Sequence, residues 1–506
     1  MHINVLEYLE ESARKHSDKI VLSDDKTQLT YAQLLKNARS IGSYLISHLD
    51  RKTNQPVAVV IDRTVESIVA FMGVVYSGNF YVPIDATMPL NRINLILNKL
   101  DPKAILLRQG DLDLIDKASF SGLKILFENA CSYPINEVEL QQVRTNAIDT
   151  DPLYSIFTSG STGTPKGALI CHRSVIDLIE HFADLFGFSE DSIFGNQAPF
   201  DFDVSVKDIY STLKNGASMN IIPRSLFSFP VQLIQHLNAH RINTVIWATS
   251  ALRIVANLRS FEKIRPEFLQ TIMFSGEVMP NKVLNYWRSN LPDAQFVNLY
   301  GPTEITCNCT YFKVTRSFAD NDVLPIGIPF PNTEIILLNE NNLPAGADEI
   351  GEICVRGTSL ALGYYNNPQE TSRSFCQNPL NPFYPELIYR TGDLGKYNDL
   401  GELLFLSRKD FQIKHMGHRI ELGEIEVAAN AISFIDAACC LYDTNREKIV
   451  LFYQAAQQNN KEVVLNLQRY LPKYMIPNQF ICMQSLPMNK NAKIDRQALK
   501  REYIDK

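Results

Sequence analysis

Residues 158–167 read TSGSTGTPKG, directly after the apolar run 153–157. Three glycines and five hydroxyl residues in ten positions make a loop rich in exposed N–H and O–H donors. Such a loop can wrap phosphate oxygens with backbone amides, so Thr158, Ser159, Gly160, Ser161, Thr162, Gly163 and Lys166 are candidate phosphate-holding residues. It is not the nucleotide loop that ends in Lys-Ser/Thr, because Lys166 is followed by Gly167. Asp203 and Lys207 stand four apart, the spacing of two charges on one helix face, where pairing is worth about 0.2–0.5 kcal/mol. Cys307 and Cys309 form a C-x-C without the further ligands a metal site needs, and packing is the better reading.

The elements that must carry these residues alternate. Short β-branched runs at 56–62, 103–107, 244–248 and 271–274 read as buried strands, and 64–76, 91–100 and 174–185 carry helical periodicity. Alternation of this kind predicts an α/β fold with largely parallel sheets. Residues 333–406 change to short strands with Gly and Asn turns, a β-rich subdomain. The last hundred residues change again, to a helix at 422–432, a strand at 448–454 and a helix at 461–471. The charged stretch Ser407-Arg408-Lys409-Asp410 marks the boundary, dividing the chain into a large domain, 1–408, and a small α+β domain, 409–506.

Composition narrows the function. The 506 residues are 45% apolar, enough for roughly two to four domains. A net charge of −6 supplies no basic footprint for nucleic acid. The first residues, MHINVLEYLEESARKHSDK, lack the apolar core of a signal peptide, and no apolar run is long enough to span a bilayer, so membrane insertion is not expected. Nine scattered cysteines, an odd number, fit reduced thiols and a cytoplasmic setting.

TSGSTGTPKG, with Tyr154 upstream, resembles the signature of the adenylate-forming enzymes, which include the adenylation domains of nonribosomal peptide synthetases, acyl-CoA synthetases and luciferases. LTYAQL from Leu29, NLYGPTE from Asn298, GEICVRG from Gly351, YRTGDLG from Tyr389, RKDFQIKHMGHRIELGEIE from Arg408 and NAKIDR from Asn491 follow in that family's order and spacing. The resemblance implies an ATP-dependent enzyme with a large N-terminal domain of layered sheets and helices and a small mobile C-terminal domain. It makes Glu304 the Mg²⁺ ligand, Thr303 and Lys493 contacts of the α-phosphate, and Tyr300, Asp393 and Arg408 part of the ATP site, with Asp393 on the ribose hydroxyls. Asp410 matches the family's hinge and Gly417 the glycine beside its pantetheine tunnel, while His415 and His418 read as part of the moving surface. Two departures stand out, Ala492 and Ser407, each where Gly is usual; neither removes a charged group.

FDVSVKDIY, from Phe202, resembles the motif in which amino-acid-activating members bind the substrate's α-ammonium, here through Asp203. The family's pocket positions fall on Asp203, Val204, Lys207, Trp247, Met273, Ser275, Leu299, Cys307, Asn308 and Lys493. Trp247 and Met273 would fill volume, and Val204, Ser275 and Leu299 partly resemble serine-activating pockets, which implies a small amino acid, serine- or alanine-like. FSGEVMPN and RKDFQIK resemble D-alanine–carrier protein ligases, which have Cys where this chain has Ser275. Lys207 fits neither pattern and raises an acidic substrate as the alternative. No carrier segment with a phosphopantetheine serine follows in these 506 residues, so the expected acceptor is a separate phosphopantetheinylated carrier protein, with free CoA as the alternative.

Overall fold

A computed structural model describes residues 2–160, 164–346, 349–409, 412–488 and 494–504. Two large sheets enclose a layer of helices. The first has seven strands in the order Gly363–Tyr364, Lys166–Cys171, Pro152–Thr158, Phe80–Asp85, Pro56–Ile61, Ala104–Leu107, Leu123–Leu126. The second has nine, from Ile328–Pro329 through Thr310–Lys313, Gln295–Tyr300, Thr271–Ser275, Thr244–Ala248, Ile193–Asn196, Ser218–Ile221 and Ile20–Ser23 to Gln28–Thr30. Its six central strands pair in parallel, as βαβ alternation requires. Apolar residues of both sheets meet those of Val65–Tyr76 and Val204–Asn215 in one core cluster, and these helices are buried along almost their whole length. A helix apolar all round has no solvent face to offer, which is why Val65–Tyr76 sits inside.

The helix Val204–Asn215 carries Asp203 at its N-cap and ends at Gly216, whose φ of 63° closes the last turn. Its C-terminal end is held from outside the helix. The Tyr31 hydroxyl donates to the carbonyls of Thr212 and Ala217, each at 2.9 Å, and the Ser12 hydroxyl donates to Leu213 O at 2.6 Å. Tyr31 opens the helix Tyr31–His48, which Thr30 and Gln33 start with a reciprocal capping box. The string LTYAQL is thus a cap and an anchor.

The β-rich region holds the strands Thr333–Leu338, Gly351–Gly357, Phe375–Gln377, Leu387–Tyr397 and Leu403–Arg408 in one five-stranded sheet. Beyond it, the hairpin Gln412–His415/His418–Glu421 leads into the helix Leu422–Asn430 and the three-stranded sheet of Ala437–Asp443, Lys448–Gln454 and Gln479–Met483. Apolar clusters in this part draw only on residues from Ile413 onward, separate from those of the rest of the chain. The helix expected over 461–471 is Asn460–Leu467; the turn before Pro472 ends it early. The two parts meet through the buried Arg92–Glu424 pair, Asn91 Nδ2 on Arg469 O at 3.0 Å, and Arg253 on Glu447. No described helix is long and apolar enough to cross a membrane.

Tyr31→Phe removes two buried hydrogen bonds from the helix that presents Asp203. We expect it to lower unfolding stability by about 1–3 kcal/mol, read as a shift in the urea midpoint.

Candidate active site

The strands Pro152–Thr158 and Lys166–Cys171 are antiparallel neighbours with Thr158 opposite Lys166, so the glycine–hydroxyl loop is the connection at the end of a hairpin. Ser161, Thr162 and Gly163 lie outside the described residues. At Gly160 a Cβ would run into the carbonyl of Thr164, so the loop turns too tightly there for any side chain. Lys166 is buried, its Nζ 3.9 Å from Glu304 Oε1, 3.7 Å from Glu370 Oε1 and 4.7 Å over the Tyr364 ring. Burial and nearby Arg419 lower its pKa.

The segment after the strand Gln295–Tyr300 doubles back on itself. Thr306 and Cys307 have φ of 56° and 76°, two consecutive non-glycine residues in the left-handed region. A Cβ on Gly301 would lie 2.6 Å from Asn308 Cα, which shows how closely the returning chain approaches. The Thr306 hydroxyl donates to Ser359 O at 2.7 Å and fixes the turn. This loop sets Thr303 and Glu304 at one end and Cys307 and Asn308 at the other, all buried.

Glu304 has no exposed surface. Its Oε1 accepts the Tyr364 hydroxyl at 2.6 Å and its Oε2 accepts Arg419 Nη1 at 2.7 Å. Burial opposes its charge, but Arg419, Lys166 and the Tyr364 hydroxyl outweigh burial and hold its pKa to about 2. Arg419 comes from the C-terminal hairpin, and the same strand engages the phosphate loop: Ser159 Oγ donates to Arg419 O at 2.9 Å and accepts Glu421 N–H at 3.2 Å.

Asp393 and Arg408 are register partners on the adjacent strands Leu387–Tyr397 and Leu403–Arg408, and cross-strand pairing puts their side chains together. Arg408 binds Asp393 Oδ1, and the Tyr300 hydroxyl donates to Oδ2 at 2.5 Å. Burial, then Asp393, pushes the Tyr300 phenol well above its usual pKa. An open cleft of about 540 Å³ lies alongside, lined by Lys166, Tyr389, Arg390, Arg408, Arg419 and Arg496 among others.

Asp203 and Lys207 lie one turn apart on Val204–Asn215, at 5% and 0% exposure. Burial raises the pKa of Asp203, with Thr303 and Lys207 pulling the other way. Lys207 Nζ donates to Asn308 Oδ1 at 2.6 Å. Val204, Met273, Leu299 and Cys307 share the core cluster between the sheets. Burial pushes the Cys307 thiol up to about 12, with Lys207 opposing. Ser275 sits on the last position of its strand, buried, and its Oγ has no partner among the described residues.

Trp247 does not join this group. Its strand partner is Phe274, one residue out of phase with Met273 and Ser275, and it packs in a different cluster against Phe227, with rings at 5.3 Å. Its Nε1 donates to Gly195 O at 2.7 Å. Strand alternation is the reason: the face that Met273 and Ser275 occupy is taken on the neighbouring strand by Ile246 and Ala248. Ala248 is one residue that sequence reasoning missed, and Arg419 is another.

Met416 and Gly417, with φ of 52° and 82°, form the two-residue turn of the C-terminal hairpin, a conformation that suits Gly. Gly417 N–H donates to Glu277 Oε1 at 2.8 Å, and a Cβ there would stand 3.2 Å from Ala248 Cβ. Lys493 and Asp410 lie outside the described residues. His418 stacks on Tyr474 at 3.7 Å and His415 meets the Tyr442 hydroxyl, while Cys307 and Cys309 are buried free thiols; no metal cluster of His, Cys, Asp and Glu is found among the described residues.

Residues 9–365 match a family model described as AMP-binding enzyme. The chain belongs to that family. A D-alanine–D-alanyl carrier protein ligase of Listeria monocytogenes is 30% identical over 520 residues, 99% of each chain. Tyrocidine synthase 1 of Brevibacillus parabrevis is 30% identical over 502 residues, 98% of this chain but 45% of the synthase; the chain therefore spans less than half of that relative. The Vibrio cholerae adenylation domain AlmE, solved with glycyl-adenosine-5'-phosphate, matches with a TM-score of 0.84 and 20% identity, covering 100% of this chain and 98% of that one, which bears on the fold. The mixed α/β architecture is that of solved adenylation domains.

Asp393, the residue expected from the sequence to accept the ribose hydroxyls, is held on both oxygens by Tyr300 and Arg408. Asp393→Ala is expected to raise the KM for ATP, with a loss of about 1–3 kcal/mol. An unchanged KM for ATP would leave Asp393 as a brace between two neighbours.

Proposed function

We propose that the chain uses ATP to activate a small amino acid as its aminoacyl adenylate and passes the aminoacyl group to the phosphopantetheine thiol of a separate carrier protein. One observation carries the reading: Asp203 is a buried carboxylate at the head of a core helix, next to the loop that bears Thr303 and Glu304. A buried carboxylate needs a cationic partner, and an α-ammonium supplies one where a fatty or aryl acid does not. The ligase and synthase relatives support the same chemistry, the former by acting with a D-alanyl carrier protein.

In this reading the substrate carboxylate attacks the α-phosphorus of ATP, the bond to the bridging oxygen breaks, and pyrophosphate leaves. Positioning and charge neutralisation matter more than proton transfer. Asp393, Tyr300 and Arg408 hold the ribose end; Lys166 and loop residues 158–163 receive the outer phosphates; Thr303 and Lys493 address the α-phosphate. Glu304, ionised and oxygen-bearing, fits Mg²⁺, a hard cation that offsets phosphate charge when bound. Arg419 occupies Glu304 Oε2 here and must withdraw for that. Met273 and the Lys207–Asn308 bridge are buried in the core, which supports a short side chain. The nine cysteines are free thiols, which supports a cytoplasmic setting.

We assign the second half-reaction to the present arrangement. Residues 409–506 turn about Asp410, Lys493 gives way, and the Met416–Gly417 turn comes to the mouth of the site beside Ala248 and Glu277. The thiol then attacks the acyl carbon and AMP leaves.

The test is amino-acid-dependent ATP–pyrophosphate exchange over the common L- and D-amino acids, followed by loading of carrier protein or free CoA. Absence of exchange with every amino acid overturns the reading. Gly417→Leu should leave exchange near wild type and cut loading about tenfold or more, since a side chain there meets Ala248. Lys493→Ala should abolish exchange, and with it loading from ATP. A parallel fall in both half-reactions for Gly417→Leu would sink the two-state account.

A further inference from the structure

Beyond Ser275 the strand Thr271–Ser275 leads to a carboxylate, Glu277. Ser275 and Ala248 are register partners at the C-terminal ends of two parallel strands, the end of an α/β sheet where ligands bind. The chain then turns through Gly276, whose φ of 95° favours glycine, and a Cβ built there would meet nothing within 4 Å. Open space therefore adjoins the turn between Ser275 and Glu277. Thr249 Oγ1 donates to the Glu277 carbonyl at 3.2 Å and ties this segment to the helix Thr249–Asn257, which follows Ala248.

The Glu277 side chain is half-buried, and its two oxygens differ. Oε1 accepts Gly417 N–H at 2.8 Å, whereas Oε2 makes no hydrogen bond or ion pair among the described residues. The groups that face this carboxyl are Arg253 from the helix, Lys414 from the C-terminal hairpin, and Glu447 and Tyr442 from the turn and strand behind it, with His415 on the Tyr442 hydroxyl. Arg253 pairs with Glu447 instead. Burial, aided by Glu447, raises the Glu277 pKa against Gly417 N–H, Arg253 and Lys414. Met416 and Val278, the chain neighbours of Gly417 and Glu277, are 65% and 68% exposed, so an acceptor can approach this contact from solvent.

We infer that Glu277 is the proton acceptor for the thiol in the second half-reaction. This rests on the thiol-transfer reading above and adds a group to it. Oε2 takes the S–H proton as sulfur bonds to the acyl carbon; the bond from that carbon to the phosphate oxygen breaks, and AMP leaves with the electron pair. The nucleophile is the thiolate, and a thiol of pKa about 8.5 is only about 3% ionised at pH 7. A carboxylate more basic than usual narrows the gap that proton transfer must cross. The Gly417 contact spans the two parts of the chain, so it orients this carboxylate in the arrangement assigned to transfer.

The experiment is single-turnover transfer from enzyme-bound aminoacyl adenylate to pantetheine, by the full chain between pH 7 and 9. The amino acid is the one that gives the strongest ATP–pyrophosphate exchange. Glu277→Gln keeps an oxygen for Gly417 N–H but cannot take a proton. Expected is a wild-type rate that varies little over this range. Glu277→Gln should be about 30-fold slower at pH 7 and approach wild type by pH 9, where the thiol ionises unaided. Glu277→Asp, which keeps the carboxylate, should retain the flat profile even where its rate is lower, and it decides the matter if the glutamine variant does not fold. A Glu277→Gln profile parallel to wild type, whether equal or uniformly slower, overturns the inference and leaves Glu277 a seam contact. So does a Glu277→Asp rate that climbs with pH. Neither result touches amino-acid activation, which absence of exchange with every amino acid would refute.

Discussion

The carboxylate of Glu304 constrains everything around it. It has no exposed surface, and an ionised group taken fully out of water is tolerated only when paired. Arg419, Lys166 and the Tyr364 hydroxyl do that together, drawing on the C-terminal hairpin, the phosphate-loop hairpin and the edge strand Gly363–Tyr364. In the proposed cycle the metal and Arg419 are alternative partners for one carboxylate. Because Arg419 also brings its own backbone onto Ser159, release of the hairpin frees a phosphate-loop hydroxyl and a metal ligand at once. In that proposed cycle the charge requirement at Glu304 would link nucleotide occupancy to the position of the C-terminal part without any long pathway between them.

The seam between the two parts repeats that logic on its far side. Arg92 and Glu424 form a pair in which both side chains are almost wholly buried, each contributed by a different part. Breaking such a pair inside a dry interface is costly, yet on separation both partners regain water, so the contact favours docking without locking it. Gly417 on Glu277 and Arg253 on Glu447 add further contacts along the seam. An interface built from a few charged and polar contacts is one that domain motion can open.

Much of this architecture was legible because it is local. The strands Pro56–Ile61 and Thr244–Ala248 and the helix Val65–Tyr76 follow from apolar runs and periodicity, within a residue or so at the ends. Asp393 and Arg408 were legible as motif residues, and the register that pairs them supplies the reason both are needed. Trp247 packs apart from Met273 and Ser275 because a motif position gives a residue's place along a strand, whereas period-two alternation decides its face. Arg419 went unremarked for a different reason. Its partner lies 115 residues earlier, across a domain seam, and no spacing rule connects them.

The position of Lys207 illustrates why a buried charge carries more information than a buried apolar residue. Met273 or Leu299 would suit many pockets, since any filled volume satisfies them. An ammonium at zero exposure suits few, because its cost of desolvation must be met by something specific. Here the protein supplies the Asn308 amide oxygen and the Cys307 thiol, with no ion pair among the described residues. The rest of the helix is anchored firmly, at its C-terminal end by Tyr31 and Ser12 and along its length by the core, so the ammonium cannot escape by local rearrangement of the backbone. A rigid helix holds this ammonium in the core, where the Asn308 amide, the Cys307 thiol and the more distant charges of Asp203 and Asp208 meet its desolvation.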